Sequence, residues 1–103
     1  MLYHDFKEWL EANAGGYHVF MDKATEFQLM KNKSRSGKSK WSDEKVNKAI
    51  KGMWESVVAA AYEQIKGHKG VPKHNGTQIW LDFMEVNNFL EGFNEGAAEV
   101  EFE

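Results

Sequence analysis

The residues closest to a known chemical motif lie in positions 31–40, where the chain reads KNKSRSGKSK. Gly37-Lys38-Ser39 has the residue types that end a phosphate-binding loop, in which backbone amides hold phosphates and the lysine reaches them. Such a loop needs another glycine five residues before Gly37, and Asn32 stands there. These domains also require a large parallel sheet, which 103 residues cannot supply. Nucleotide hydrolysis is therefore not predicted.

The other residues with catalytic or metal-binding chemistry are too scattered to form a recognisable site. His68 and His74 lie six residues apart in a glycine-rich loop, but no further ligands follow at a spacing that would complete a metal shell. Asp82 and Glu85 lie on one side of a predicted helix, but no nucleophile or histidine accompanies these carboxylates. We expect no enzymatic activity, no metal and no cofactor.

A basic segment in the middle of the chain has the composition of a nucleic-acid-binding surface. Its candidate binding residues are Lys31, Lys33, Arg35, Lys38, Lys40, Trp41, Lys45 and Lys48, and Lys51 continues the series. Cations at this density can neutralise phosphates, and an exposed tryptophan among them can stack on an unpaired base. The alternative is a solvated loop, with Glu44 and Lys48 forming an ordinary surface pair.

The net charge of −3 conceals a strong separation of charge along the chain. Residues 1–30 carry −3, residues 31–73 carry +7, and residues 74–103 carry −7. A separation of this size bears on partners and solubility rather than on the fold. Either the acidic and basic parts face each other and largely cancel, or each is available to another molecule.

The acidic last third of the chain is the second candidate surface. Its proposed partner-binding residues are Trp80, Asp82, Met84, Glu85, Glu91, Glu95, Glu99 and Glu101, followed by Glu103. A negative face with apolar anchors would be steered toward a basic groove, where a buried aromatic side chain would supply affinity. Our primary hypothesis is therefore a non-catalytic protein that binds, and inhibits or regulates, a nucleic-acid-handling protein. Direct nucleic-acid binding through residues 31–51 is the alternative.

Length and composition predict one domain over residues 1–103, with a mobile basic loop at 31–41 and a frayed acidic tail at 95–103. The absence of cysteine is compatible with a reducing compartment. No apolar run approaches the roughly 20 residues of a membrane span, and no secretion signal opens the chain. We expect a soluble, cytoplasmic protein. Its oligomeric state and the identity of its partner cannot be derived from these features.

Hydrophobic periodicity predicts two helices clearly. The first runs from Tyr3 to Ala14 and closes at Gly15-Gly16. The second, from Ser42 to Gly67, is capped by the serine hydroxyl and forms the centre of the core. Its predicted core face is Val46, Ile50, Met53, Val57, Ala61 and Ile65.

The remaining elements are less clearly marked. Residues 17–30 alternate in a way that favours a β-hairpin, and a helix from Phe20 to Lys31 is the rival interpretation. A last helix begins at Thr77, with its apolar face at Ile79, Phe83, Val86, Leu90 and Phe93. Residues 99–103 form either an edge strand or a frayed tail. The predicted fold is α+β in the order α-β-β-α-α with an optional terminal strand, and an all-α bundle is the alternative.

Overall fold

Five α-helices joined by short connections make up the part of the chain that the computed structural model describes, residues 1–102. They are α1 (Tyr3–Asn13), α2 (Gly16–Lys33), α3 (Asp43–Lys69), α4 (Gly76–Val86) and α5 (Phe89–Glu99), with a 3-10 turn at Gly37–Ser39. No strand occurs in these residues. The predicted α+β fold is therefore wrong, and the all-helical alternative is confirmed.

The central helix α3 forms where its sequence predicts. The Ser42 hydroxyl accepts a hydrogen bond from the Lys45 backbone N–H at 3.2 Å, which caps the first turn. The helix passes through Gly67 and ends at Gly70, whose φ of 61° is accessible to glycine at little cost. Its buried residues are Val46, Ile50, Trp54, Val58, Tyr62 and Ile65. The predicted core face is therefore wrong at Met53, Val57 and Ala61, which are only partly buried. At 1.5 Å per residue, α3 is about 40 Å long, most of the 54 Å length of the molecule.

Residues 17–30 form most of α2, so the predicted hairpin is wrong and the rival helix is correct in kind. Gly16, Phe20, Ala24 and Gln28 recur every four residues and are buried between neighbouring helices. The alternation that favoured strands does not match burial, since Leu29 is 53% exposed. The helical period of burial decided the conformation, and it outweighed the β propensity of the individual residues.

The predicted last helix is divided into α4 and α5. Asn88 has φ 51°, a left-handed conformation that asparagine tolerates better than most residues. Within α4 the buried residues are Trp80 and Met84, whereas Val86 is 80% exposed. The predicted face through Ile79 and Val86 is therefore wrong.

The chain after α5 is extended but pairs with no strand, so the predicted edge strand is wrong over residues 99–102. Glu99 ends α5, and Phe102 packs its ring 5.5 Å from that of Phe20 and 5.3 Å from that of Phe27. Glu103 lies outside the described residues. The contact of Phe102 with α2 ties the end of α5 to that helix.

The helices pack in two groups along α3. Hydrogen-bonding and aromatic contacts of α1, α4 and α5 with α3 involve Trp54 or later residues, such as Tyr62 and His68. The earlier part of α3 lies beside α2, and α5 runs along α2. None of the helices in residues 1–102 combines the length and apolar character needed to cross a bilayer.

Candidate nucleic-acid interface

The basic segment lies where α2 passes into α3, and we call residues 31–51 the basic tip. It comprises the last turn of α2, the connection at 34–42 and the first nine residues of α3. It holds eight Lys and Arg residues against Asp43 and Glu44, a net charge of +6. The hydrogen-bonding and aromatic contacts of α1, α4 and α5 with α3 begin at Trp54, after the last residue of the tip.

The connection in the basic tip is closed by one side chain, that of Asn32. Its Oδ1 accepts from the Trp41 backbone N–H at 2.8 Å, and its Nδ2 donates to the Trp41 carbonyl at 3.1 Å. The Arg35 guanidinium also donates to Oδ1 at 3.3 Å. These bonds join the end of α2 to the residue before the α3 cap, which fixes the base of the loop.

Trp41 is half-buried and its ring is occupied by cations of the protein itself. The Arg35 guanidinium carbon lies 3.7 Å from the ring centroid, and Lys45 Nζ lies 4.6 Å from it. Such cation–π contacts contribute about 0.5–1 kcal/mol each at exposed sites. Trp41 is therefore half-buried rather than exposed and positions two cations, and its stacking on a base stays a prediction.

Every cation of the basic tip except the half-buried Arg35 is exposed. The exposed residues are Lys31, Lys33, Lys38, Lys40, Lys45, Lys48 and Lys51. Within residues 1–102, the ion pairs at 4.0 Å or less join His4 to Glu8 and Lys7 to both Glu11 and Glu55. No ion pair in that range joins the tip to the acidic last third, so its charge is available to an anionic ligand.

The proposed anchors of the acidic surface lie in the core. Trp80 is 0% exposed and Met84 3%, and the Trp80 indole N–H donates to the Gly70 carbonyl at 2.9 Å. Their use as exposed anchors is wrong, because both side chains fill the space between α4 and the rest of the bundle. The acidic residues themselves are exposed: Asp82, Glu85, Glu91, Glu95, Glu99 and Glu101.

Two of these acidic residues lie beside an apolar cavity at the α4–α5 turn. Glu85 and Glu91 line this space of about 360 Å³ together with Trp9, Leu81 and Phe89. The hypothesis of an acidic docking surface stays a prediction for the exposed acidic residues, without Trp80 and Met84 as anchors. Asp82, by contrast, accepts a hydrogen bond at 2.8 Å from Gln78 one turn earlier in α4.

A polar cluster that the sequence did not reveal joins α1 to α3. The Tyr3 hydroxyl donates to Glu55 Oε2 at 2.7 Å, and Lys7 contacts the other carboxylate oxygen of Glu55. Desolvation and the hydrogen bond to Glu55 raise the pKa of Tyr3 to about 12, and the bonds from Lys7 and Tyr3 lower the pKa of Glu55. Trp54 Nε1 donates to Glu11 at 2.7 Å on the same side. The cluster fastens two helices, and its polar groups satisfy one another.

Comparison with known proteins identifies no relative. No family model, curated protein or solved structure matches the chain.

Proposed function

We propose that this chain binds nucleic acid through the basic tip. The observation that carries the proposal is the concentration of eight cations in residues 31–51, none of them in an ion pair within the described chain. Arg35 and Lys45 are already positioned by Trp41, so binding costs less side-chain entropy there. Exposed lysines on the same tip can neutralise further phosphates.

The rest of the molecule has the opposite charge and favours one orientation on a polyanion. Since the whole chain carries −3 and the basic tip +6, the remaining residues carry −9. A polyanion is attracted to the tip and repelled by the α4–α5 side. This asymmetry supports contact through the tip alone.

The proposal implies a measurable dependence on salt. If five of the eight cations contact phosphates, log K falls against log salt with a slope of about −4.5, which is roughly a 500-fold loss between 50 and 200 mM. A slope near zero would mean that phosphates are not the ligand.

The test is fluorescence anisotropy with labelled oligonucleotides across a salt series. The triple variant Lys33→Glu, Arg35→Glu and Lys38→Glu should lose binding. The matched control changes Lys66, Lys69 and Lys73 to Glu, because these three exposed lysines lie outside the tip and give the same change in net charge. The control should keep most of the wild-type affinity.

Two outcomes would refute the proposal. One is the absence of binding by the wild-type protein at about 50 mM salt, where phosphate contacts are strongest. The other is an equal loss of binding affinity in the control and the tip variant, which would indicate that net charge, and not a particular site, determines binding. Circular dichroism of both variants establishes that they are folded.

A further inference from the structure

We infer that the basic tip takes duplex nucleic acid in preference to single strands, an inference that rests on the proposed function. Proteins that bind single strands combine cations with free aromatic faces on which bases stack. In the tip, the Trp41 ring carries Arg35 and Lys45. Outside the tip, the Phe27 ring of α2 has Lys31 Nζ 5.3 Å from its centroid and contacts Phe102. A base that stacks on the cation-bearing face of either ring would displace a contact already made.

The rigid spacing of cations along α3 suits a dense array of phosphates. Lys45, Lys48 and Lys51 follow one another at three-residue steps and are exposed, so they span about 9 Å of helix. Over that length a duplex presents roughly five phosphate charges and one of its strands only two or three. A flexible single strand must also be ordered against the helix, which costs conformational entropy that a duplex does not lose.

The width of the tip places it on the phosphate backbone rather than in a groove. Two packed helices with axes about 8–10 Å apart are roughly 20 Å across, whereas the major groove of B-form DNA is about 12 Å wide. The cations lie on both helices and on the loop between them. Base edges are therefore not reached by the tip as a whole, and binding should depend little on sequence.

The experiment compares oligonucleotides of one length in three forms: duplex DNA, duplex RNA and the separate strands. Anisotropy titrations at about 50 mM salt should show the protein binding a duplex about tenfold more tightly than either of its strands. Two duplexes of unrelated sequence should bind within about threefold of each other. The triple Glu variant of the tip should lose both duplex and single-strand binding.

The outcomes separate this inference from the function on which it rests. If single strands bind as tightly as the duplex they form, or more tightly, the preference is wrong while nucleic-acid binding stands. If no form binds, the proposed function fails and the preference with it. A strong dependence on duplex sequence would overturn the backbone-binding geometry.

Substitution of Trp41 distinguishes a ring that positions cations from a ring that stacks on bases. Trp41→Phe keeps an aromatic face for Arg35 and Lys45, whereas Trp41→Leu removes it. We expect Trp41→Leu to weaken duplex and single-strand binding by a similar factor of about three, and Trp41→Phe to recover most of it. A selective loss of single-strand binding in Trp41→Leu would overturn the inference, because it would show that bases stack on this ring.

Discussion

Replacing Gly16 with alanine tests the close approach of α2 and α5. A Cβ atom at Gly16 would lie 2.8 Å from Asn94 Oδ1, 3.0 Å from Asn94 Cα and 3.1 Å from Ala97 Cβ. The Asn94 side chain can rotate away, but the Gly16 N–H donates to its Oδ1 at 2.7 Å and would lose that acceptor. The Asn94 backbone cannot rotate away, so α5 must shift from α2.

The expected loss of stability follows from these contacts. Overpacking of this kind costs about 1–3 kcal/mol, and loss of the hydrogen bond adds about 1 kcal/mol. We therefore expect Gly16→Ala to lower the free energy of unfolding by about 2–4 kcal/mol, or Tm by roughly 10 °C or more. Gly15 is a matched control, because a Cβ there has nothing within 4 Å and its φ is −58°. Gly15→Ala should be neutral or stabilising by about 0.5 kcal/mol.

The assay is urea unfolding followed by far-ultraviolet circular dichroism for the wild-type protein and both variants. Comparing midpoints at a constant m-value gives the difference in free energy. If Gly16→Ala were as stable as Gly15→Ala, the tight α2–α5 contact would be refuted. A lower m-value in Gly16→Ala alone would instead indicate partial separation of α5 from the native bundle.

Four further substitutions test other contacts. Trp80→Phe removes the hydrogen bond to Gly70 and leaves unfilled core volume, so urea unfolding should show a loss of about 1–3 kcal/mol. The pKa of Tyr3 is raised from 10.0 to about 12, so the stability that its protonated hydroxyl contributes is lost as pH rises through that window. In thermal melts, the Tm of Tyr3→Phe should therefore fall less at alkaline pH than the Tm of the wild-type protein. Hydrogen bonds lower the pKa of Glu55, so the stability that its carboxylate contributes is present above pH 4.5, its ordinary pKa, and is lost as pH falls through the folded-state pKa. If the Tm of Glu55→Gln fell at acid pH as steeply as that of the wild-type protein, this contribution would be contradicted. Phe102→Ala should speed amide exchange at the end of α5, and unaltered exchange would mean that its ring does not hold that end.

The parts of the fold that the sequence predicts are those with local signals. Gly15 and Ser42 bound helices whose apolar residues recur at helical spacing, and α1 and α3 formed there. In α2 the local signals for strand and for helix conflicted. Gly16 packs closely against Asn94 of α5, 78 residues away in sequence, and this contact contributed to the helical outcome. The break at Asn88 has neither glycine nor proline to mark it.

The sequence predicted which charged residues form the candidate site, but not the contacts that arrange them. The charge pattern identified the cations of residues 31–51, and most of them are exposed. The pairing of Asn32 with Trp41 forms at the end of α2, where the predicted hairpin over residues 17–30 placed no helix. Trp80 illustrates the opposite error, since an aromatic side chain on an acidic helix was interpreted as an exposed anchor although it packs against Tyr62, with ring centroids 5.0 Å apart.

The bonds that Asn32 makes with the Trp41 backbone and with the Arg35 guanidinium make residues 36–40 a replaceable cassette. The closure uses only groups on either side of the cassette, so the composition of the intervening loop can be altered without removing it. A neutral or acidic loop of equal length could be exchanged for the native one, with the helices α2 and α3 kept in register. The chain could thus display foreign peptides from a helical scaffold, and the same exchange would switch its charge at one end.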